Sequence, residues 1–465
     1  MQNNQTASGT VIRLPVVASS RGGDIGTDDL PDSFVVELLL RHFSRMGELR
    51  LFELSQRLGL NTQRIDALLT HMRTLRLVEV PRRGTIEGDV SYALTELGQK
   101  QARLAFEKCQ YVGPAPVTLD QYTSMVHHQS LRQHPTTARQ LKDAMGNLVI
   151  DEAMLPSLGS ALNSGKAIYL HGPSGGGKTY LAEHLVKTLH GRIWVPHAVY
   201  VDGEVIVVFD PMVHQVVEEH ALTERHLNRD AVPVERRLSR DVMPDGRWVL
   251  TERPVVITGG ELTLQMLDLE FDSVSRLYVA PPQMKANNGI FVVDDLGRQR
   301  ISPRDLLNRW IVPLDRHVDY LALHTGNKFQ VPFDVTVIFS SNLTPDELTD
   351  AAFSRRLGYK IPIGALSQEG YREVIAQACQ RAGLGFDAES VDFMIDHLHP
   401  SYDQAYLPCI PYDVISKIRD RALYLGQEPR LTPGLIEWAW KMYFGVGDQP
   451  QQQVVRTNGT EEGEK

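Results

Sequence analysis

Eight consecutive residues, Gly172-Pro173-Ser174-Gly175-Gly176-Gly177-Lys178-Thr179, carry the most specific chemistry in the sequence. They match G-x-x-x-x-G-K-[ST] in full and lie between a β-like run, AIYLH (167–171), and an amphipathic helical pattern, which is the context the motif requires. Glycines let the backbone curl so that its N–H groups point at phosphate oxygens, and the next helix adds its positive N-terminal end. Lys178 would neutralise the β/γ-phosphates of ATP, and the Thr179 hydroxyl would face Mg²⁺. The expected nucleotide-binding set runs from Gly172 through Tyr180. A fortuitous Gly-rich turn would lack the flanking strand and helix.

A buried strand ending in acid is the second candidate: Ile290, Phe291, Val292, Val293, then Asp294 and Asp295. Carboxylates at the edge of an apolar core need a reason. Beside a phosphate loop, Asp294 is expected to hold Mg²⁺ through water and Asp295 to polarise the attacking water, because phosphoryl transfer is mostly positioning and electrostatics. By itself the pair would equally suit a strand end entering solvent. A second apolar strand, VTVIFSSN (335–342), ends in Ser340, Ser341 and Asn342. If it lies between the nucleotide strand and the acid strand, the Asn342 amide can orient water at the γ-phosphate. Further on, Arg355 and Arg356 end a helical stretch. They fit either cations at a helix C-terminus or an arginine finger reaching a neighbouring subunit's nucleotide.

Around these residues, strands and helices alternate as a parallel α/β sheet requires, with strands clearest at 167–171, 289–295, 335–342 and 359–363. The helix after the loop should bury Leu181, Ala182, Leu185, Val186 and Leu189 and stop at Gly191. After about residue 365, four helical stretches close the fold: SQEGYREVIAQACQRAG, AESVDFMIDHL, PYDVISKIRDRALYLG and TPGLIEWAWKMYF. Ahead of the sheet, residues 33–110 show three helical patterns, with Ile65, Leu68, Leu69, Met72 and Leu75 as one stripe. Two β-like pieces, RLVEV and SYALT, and another helix follow. That is the outline of a winged helix. The expected organisation is a polar tail (1–32), the winged-helix-like domain (33–110), a linker (111–137) opening on YVGPAPV, an α/β ATPase domain (138–365), a helical lid (366–445) and a second polar tail (446–465).

With 465 residues and a net charge of −9, the chain is large enough for several cores and too acidic to coat nucleic acid wholesale. Residues 33–110 carry +3, so one basic domain is compatible with that total. Arg64, His71 and Arg73 on the third helical pattern and Arg82 and Arg83 between the β-like pieces could meet DNA, or form a solvated face of a protein-binding module. Apolar stretches are strand-sized, which argues against membrane insertion, and the N-terminus does not read as a secretory signal. Cys109, Cys379 and Cys409 lack C-x-x-C spacing and suit a reducing cytoplasm. His214, His220 and His226, spaced by six, do not form a helical metal-ligand set. Phe271 and Tyr278 could line a central pore, although packing is the commoner role of aromatics.

In this order, phosphate loop, acid-ended strand, asparagine-ended strand, paired arginines and helical lid, the chain resembles the AAA+ ATPases from about residue 138 to 445. The stretches VDGEVIVVFDPMVH, GGELTLQMLDL, VVDDLGRQRISPRDLLNRWIVPLDRHVD and LHTGNKFQVPFDV, with YVGPAPV, look like those of a bacterial group described as ATPases with chaperone activity. The resemblance implies a five-stranded parallel sheet, a four-helix lid, and ATP sites between subunits of a hexamer-like ring. It also implies a protein client of unknown identity. Two residues depart from the family pattern. Asp295 stands where a glutamate is usual, and Tyr412, in Pro411-Tyr412-Asp413, stands where a nucleotide-sensing arginine is usual; Arg419 and Arg421 lie further along the same helix. The sequence thus predicts a Mg²⁺-dependent ATPase remodelling a protein, with an ATP-gated DNA-binding regulator as the alternative.

Overall fold

The computed structural model describes residues 30–81, 90–133, 135–189, 191–217, 245–348 and 357–445. They group into two compact units. The first takes the described residues up to Gly146, with Ala153–Gly172 and Lys178–Pro362; the second takes Asn147–Glu152, Pro173–Gly177 and the residues from Ile363 onward.

The first unit begins with α1 (Asp32–Met46), β1 (Leu49–Arg50), α2 (Leu51–Leu58) and α3 (Thr62–Thr74). Asn61 caps α3 by accepting from the Gln63 N–H at 2.8 Å, which satisfies one of the free donors of the first turn. Ile65, Leu68, Leu69 and Met72 are buried as their spacing predicts, but Leu75 is 48% exposed: the helix ends at Thr74, and the stripe ends with it. Next come β2 (Val78–Glu79) and β3 (Ser91–Leu94), which pair antiparallel with Val78 opposite Leu94, while β1 pairs on the other side of β3. Then α4 (Glu96–Lys108) opens on Thr95, whose hydroxyl accepts from the Gly98 N–H. Leu38, Leu39, Leu54, Ile65, Met72 and Tyr92 share one core, to which Tyr111 and Ala115 of the YVGPAPV segment also belong.

The residues expected to link two domains carry β4 (Val117–Thr118) and α5 (Leu119–His128). After them come α6 (Ala138–Met145), α7 (Leu155–Ser164), β5 (Ala167–His171) and α8 (Lys178–Lys187). Leu181, Ala182 and Leu185 of α8 are buried, as is Leu189 just beyond it. The long stretch before Gly289 supplies β6 (Arg192–Pro196), β7 (Ala198–Val201), β8 (Glu204–Val207), β9 (Trp248–Glu252), β10 (Val255–Thr258), β11 (Glu270–Asp272) and β12 (Leu277–Val279). A turn with positive φ at Asp202 and Gly203 joins β7 to β8, the conformation a tight hairpin needs. β4, β7, β8, β12 and β11 form a mixed sheet in the order β11-β12-β8-β7-β4.

The site-bearing sheet is completed by β13 (Ile290–Val293), α9 (Pro303–Arg309), α10 (Ile311–Arg316), the hairpin β14 (Val318–Ala322) and β15 (Lys328–Pro332), then β16 (Thr336–Ser341) and β17 (Leu357–Pro362). It has five parallel strands in the order β10-β13-β16-β5-β17. β13 and β16 are buried at every residue, the unbroken pattern of strands covered on both faces. The asparagine-ended strand β16 lies between β5 and β13, as its proposed role demands. The fifth strand, β10, is the one that the sequence pattern did not single out.

In the second unit, the four expected helices are present: α11 (Gln368–Ala382), α12 (Ala388–Phe393), α13 (Cys409–Tyr424) and α14 (Pro433–Phe444). Ser367, Asp387 and Thr432 cap α11, α12 and α14. Tyr371, Ile375, Val391, Met394, Val414, Ile418 and Trp440 fill their common core. Among the described residues, no helix is long and apolar enough to cross a membrane.

Candidate functional site

Three neighbouring strands end at the same edge of the parallel sheet, and their tips bring the sequence-predicted residues together. β5 runs into the Gly-rich loop, whose first turn closes with the Gly176 N–H donating to Pro173 O at 3.2 Å. Gly175 and Gly177 have φ of 81° and 89°, a region that L-residues with side chains rarely occupy. A Cβ on Gly175 would also lie 2.3 Å from Cys409 Sγ within the second unit, so this position admits only glycine on two counts. Tyr180 is half exposed, its ring 4.2 Å from that of His184.

Lys178 opens α8 and is only 6% exposed. Its ammonium donates to Asn342 Oδ1 at 2.8 Å, from the end of β16, and to Gly172 O at 3.0 Å. Burial lowers its pKa from the ordinary lysine value, while the charges of Asp295 and Asp294 oppose that effect. Beside it, the Thr179 hydroxyl lies 2.9 Å from both carboxylate oxygens of Asp294, at the end of β13. The Ser340 hydroxyl donates to Asp294 Oδ1 and accepts from the Asp295 N–H at 3.3 Å. One serine of β16 therefore ties the two acids to the neighbouring strand. The spacing of the motif gave no signal for that role, since Ser340 faces Asp294 only once β16 and β13 are paired.

Asp295 has φ of +50°, in the left-handed region. Past it, the Leu296 N–H returns to Ser340 O at 2.7 Å, and Ser341 Oγ donates to Leu296 O at 2.8 Å. The turn is closed by Gln299, whose Nε2 donates to the carbonyls of Asp294 at 2.7 Å and Asp295 at 3.2 Å, while its Oε1 accepts from the Gly297 N–H at 2.8 Å. Sequence reasoning passed over Gln299, which lies in a polar loop with no motif of its own.

Other expected residues are placed differently. Arg355 and Arg356 lie outside the described residues, as do Arg82, Arg83, His220, His226, residues 1–29 of the first polar tail and the whole of the second. Tyr278 is buried and Phe271 packs on it at 4.9 Å, so both are held in the mixed sheet. His214 faces the Asp210 N–H with one ring nitrogen and Lys285 O with the other. Arg64 is ion-paired to Asp32 at 2.9 Å, while His71 and Arg73 are exposed. In the second unit, Tyr412 donates to Gln377 Oε1 at 3.5 Å, Arg419 pairs with Asp420, and Arg421 stacks on Trp438 at 4.4 Å.

The donors gathered at the strand tips suit a magnesium nucleotide. Thr179 Oγ1 and Asp294 form an all-oxygen pair of the kind Mg²⁺ takes through one or two carboxylates and its waters, and the neighbouring ammonium of Lys178 suits polyphosphate. Asp295 and Asn342 flank that position from β13 and β16 without belonging to the oxygen pair.

A family model described as Domain of unknown function (DUF8689) matches residues 367–442, the helices of the second unit. No curated protein matches the chain. Among solved structures, the chain is similar to NtrX from Brucella abortus in complex with ADP, with 14% identity, a TM-score of 0.37, and coverage of 68% of this chain and 60% of NtrX. It is also similar to RuvB of Thermotoga maritima, a Holliday junction branch migration motor, with 12% identity, a TM-score of 0.33, and coverage of 68% and 73%. A third is domain III of the replication initiation protein DnaA of Thermotoga maritima, with 11% identity, a TM-score of 0.33, and coverage of 65% and 97%. The chain spans less than two thirds of the length of NtrX.

Proposed function

We propose that this protein is a Mg²⁺-dependent AAA+ ATPase that works as a ring and uses ATP turnover to remodel or chaperone a protein client. The observation that carries the reading is the convergence of Lys178, Thr179, Asp294, Asp295 and Asn342 at the tips of β5, β13 and β16, with β16 between the other two. In this reading the nucleotide-binding domain spans 138–365, the lid 366–445 and the winged-helix-like domain 33–110, joined by 111–137.

Each residue then has one task. The N–H groups of Gly172–Thr179 and the start of α8 bind phosphate oxygens, and Lys178 exchanges its Asn342 and Gly172 partners for the β/γ-phosphates. Thr179 and Asp294 would hold Mg²⁺, which when bound would offset the charge of the phosphate oxygens. Asp295 accepts a proton from the attacking water as that water's oxygen bonds to the γ-phosphorus and the bond to the β–γ bridging oxygen breaks. Asn342, released from Lys178, orients the water. An aspartate is one methylene shorter than the glutamate usual in the family that the sequence resembles. Arginines 355 and 356 are the residues we assign to the neighbouring subunit's site.

The DNA-binding alternative rests on His71 and Arg73, which are exposed on α3. The deciding experiment measures ATP turnover of the purified protein with and without Mg²⁺ and DNA, beside Asp295→Asn. The expected result is Mg²⁺-dependent turnover that Asp295→Asn reduces to a small residual rate while ATP binding persists. Equal turnover of the two proteins would move the base elsewhere, and DNA binding that weakens steeply with salt would support the alternative.

A further inference from the structure

We propose that Gln299 is a positioning residue for hydrolysis, whose carboxamide holds Asp295 in the one backbone conformation that aims its carboxylate at the water. The inference rests on the ATPase reading and assigns a function to a residue outside the motifs that support it. Asp295 has φ of +50°, where an L-residue crowds its own Cβ against the following carbonyl and where a short polar side chain is tolerated but not favoured. Such a conformation persists only where the surroundings over-determine it. Three bonds from one amide do so: Nε2 to Asp294 O and Asp295 O, and Gly297 N–H to Oε1. The Arg298 N–H adds a turn bond to Asp295 O at 3.0 Å, and the Ser340 hydroxyl takes the Asp295 N–H. The strand side of the turn is thus fixed by β16 and the exit side by Gln299.

Gln299 bonds to the carbonyls of the acids and leaves their carboxylates to other partners. Removing it leaves every charge of the site in place and changes only where the Asp295 carboxylate points. Lys178 is held by Asn342 and Gly172, neither of which bonds to Gln299, and the Asp294 carboxylate is held by Thr179 and Ser340, with Gln299 reaching only the Asp294 carbonyl. Loss of Gln299 therefore separates hydrolysis from nucleotide binding. A residue that merely staples a surface loop would affect neither.

The test is a double-mutant cycle on the full chain, reading steady-state ATP turnover, ATP affinity and melting temperature. Gln299→Ala is expected to lower kcat by about 10²-fold, the scale of loss from displacing a reacting group by about 1 Å. The dissociation constant for ATP should stay within about twofold and the melting temperature close to wild type. In the Asp295→Asn background, Gln299→Ala should cause no further loss, because it acts through the missing carboxylate. Gln299→Glu keeps the acceptor for Gly297 but loses both donors, and it should be at least as slow as the alanine variant. Its kcat is read in the same way should Gln299→Ala not fold. Wild-type kcat in these variants, or losses that multiply in the double variant, would overturn the proposal while leaving the ATPase reading intact. A wild-type protein that does not hydrolyse ATP would overturn both.

Discussion

Replacing Lys178 by alanine tests the proposed nucleotide site most directly, because two opposed effects can be separated. In the free protein the ammonium is 6% exposed and bonded to Asn342 Oδ1 and Gly172 O, so it is desolvated and compensated at the same time. Burial lowers its pKa while Asp295 and Asp294 pull the other way. Its removal relieves that desolvation and leaves two acceptors to water, so folding stability should change by about 1 kcal/mol or less. With ATP bound the balance differs. A unit charge about 4 Å from a phosphate charge at an effective dielectric near 20 is worth about 4 kcal/mol, and part of this is already spent on the two aspartates. A net loss of about 3–4 kcal/mol corresponds to an affinity lower by about 10²- to 10³-fold. Isothermal calorimetry with MgATP on a variant shown to be folded measures it. Lys178→Arg should fail as well, since a planar guanidinium does not match a buried site built for a compact ammonium. An alanine variant that binds ATP within about threefold of wild type, with unchanged turnover, would refute the assignment of Lys178 to the phosphates and with it the site.

Three other outcomes follow from particular residues. If Arg355 or Arg356 serves a neighbouring subunit, mixing a variant lacking both with Lys178→Ala should restore part of the turnover, as a mixed ring can pair an intact arginine with an intact loop; co-assembly without recovered activity counts against a trans finger. His399 is buried and bonded to Gln404 O and Tyr371 Oη, and burial holds its pKa below 6.5. The unfolded chain therefore takes up a proton first, so this contribution to stability is complete above pH 6.5 and is lost as pH falls from there through the folded pKa. Hydrogen exchange in α14 should quicken over that interval in wild type and lose the dependence in His399→Gln. In α4, Gly98→Ala places a Cβ 2.0 Å from Leu77 O. It should cost about 1–3 kcal/mol from overpacking, despite the better helix propensity of alanine, and a denaturant midpoint equal to wild type would show that α4 and β2 can separate freely.

What the sequence alone determined is local in origin. The Gly-rich loop is legible because its groups are contiguous: eight residues carry the curl, the ammonium and the hydroxyl, and the strand and helix beside them announce themselves by periodicity. β13 and β16 read clearly because strands covered on both faces are largely apolar runs, and α11, α13 and α14 because each is long enough to repeat a 3.6-residue stripe. Where a helix ends is less certain from pattern alone, as Leu75 shows.

The tertiary structure decided whatever depends on partners distant in the chain. That β16 lies between β5 and β13 is a matter of non-local pairing, and only that order sets Asn342 against Lys178 and Ser340 against Asp294. β4 and β12 are two and three residues long, too short for alternation to show, yet they join Val117–Thr118 to a sheet completed by Leu277–Val279. The same sheet holds Phe271 and Tyr278 in its packing. Arg64 looked available for DNA on its helix, but Asp32, more than thirty residues earlier, is its ion-pair partner. Gln299 had no motif because its work is done by one amide on the backbone of a turn. Such a bond is set by the path of the chain after β13 and leaves no trace in residue type or spacing.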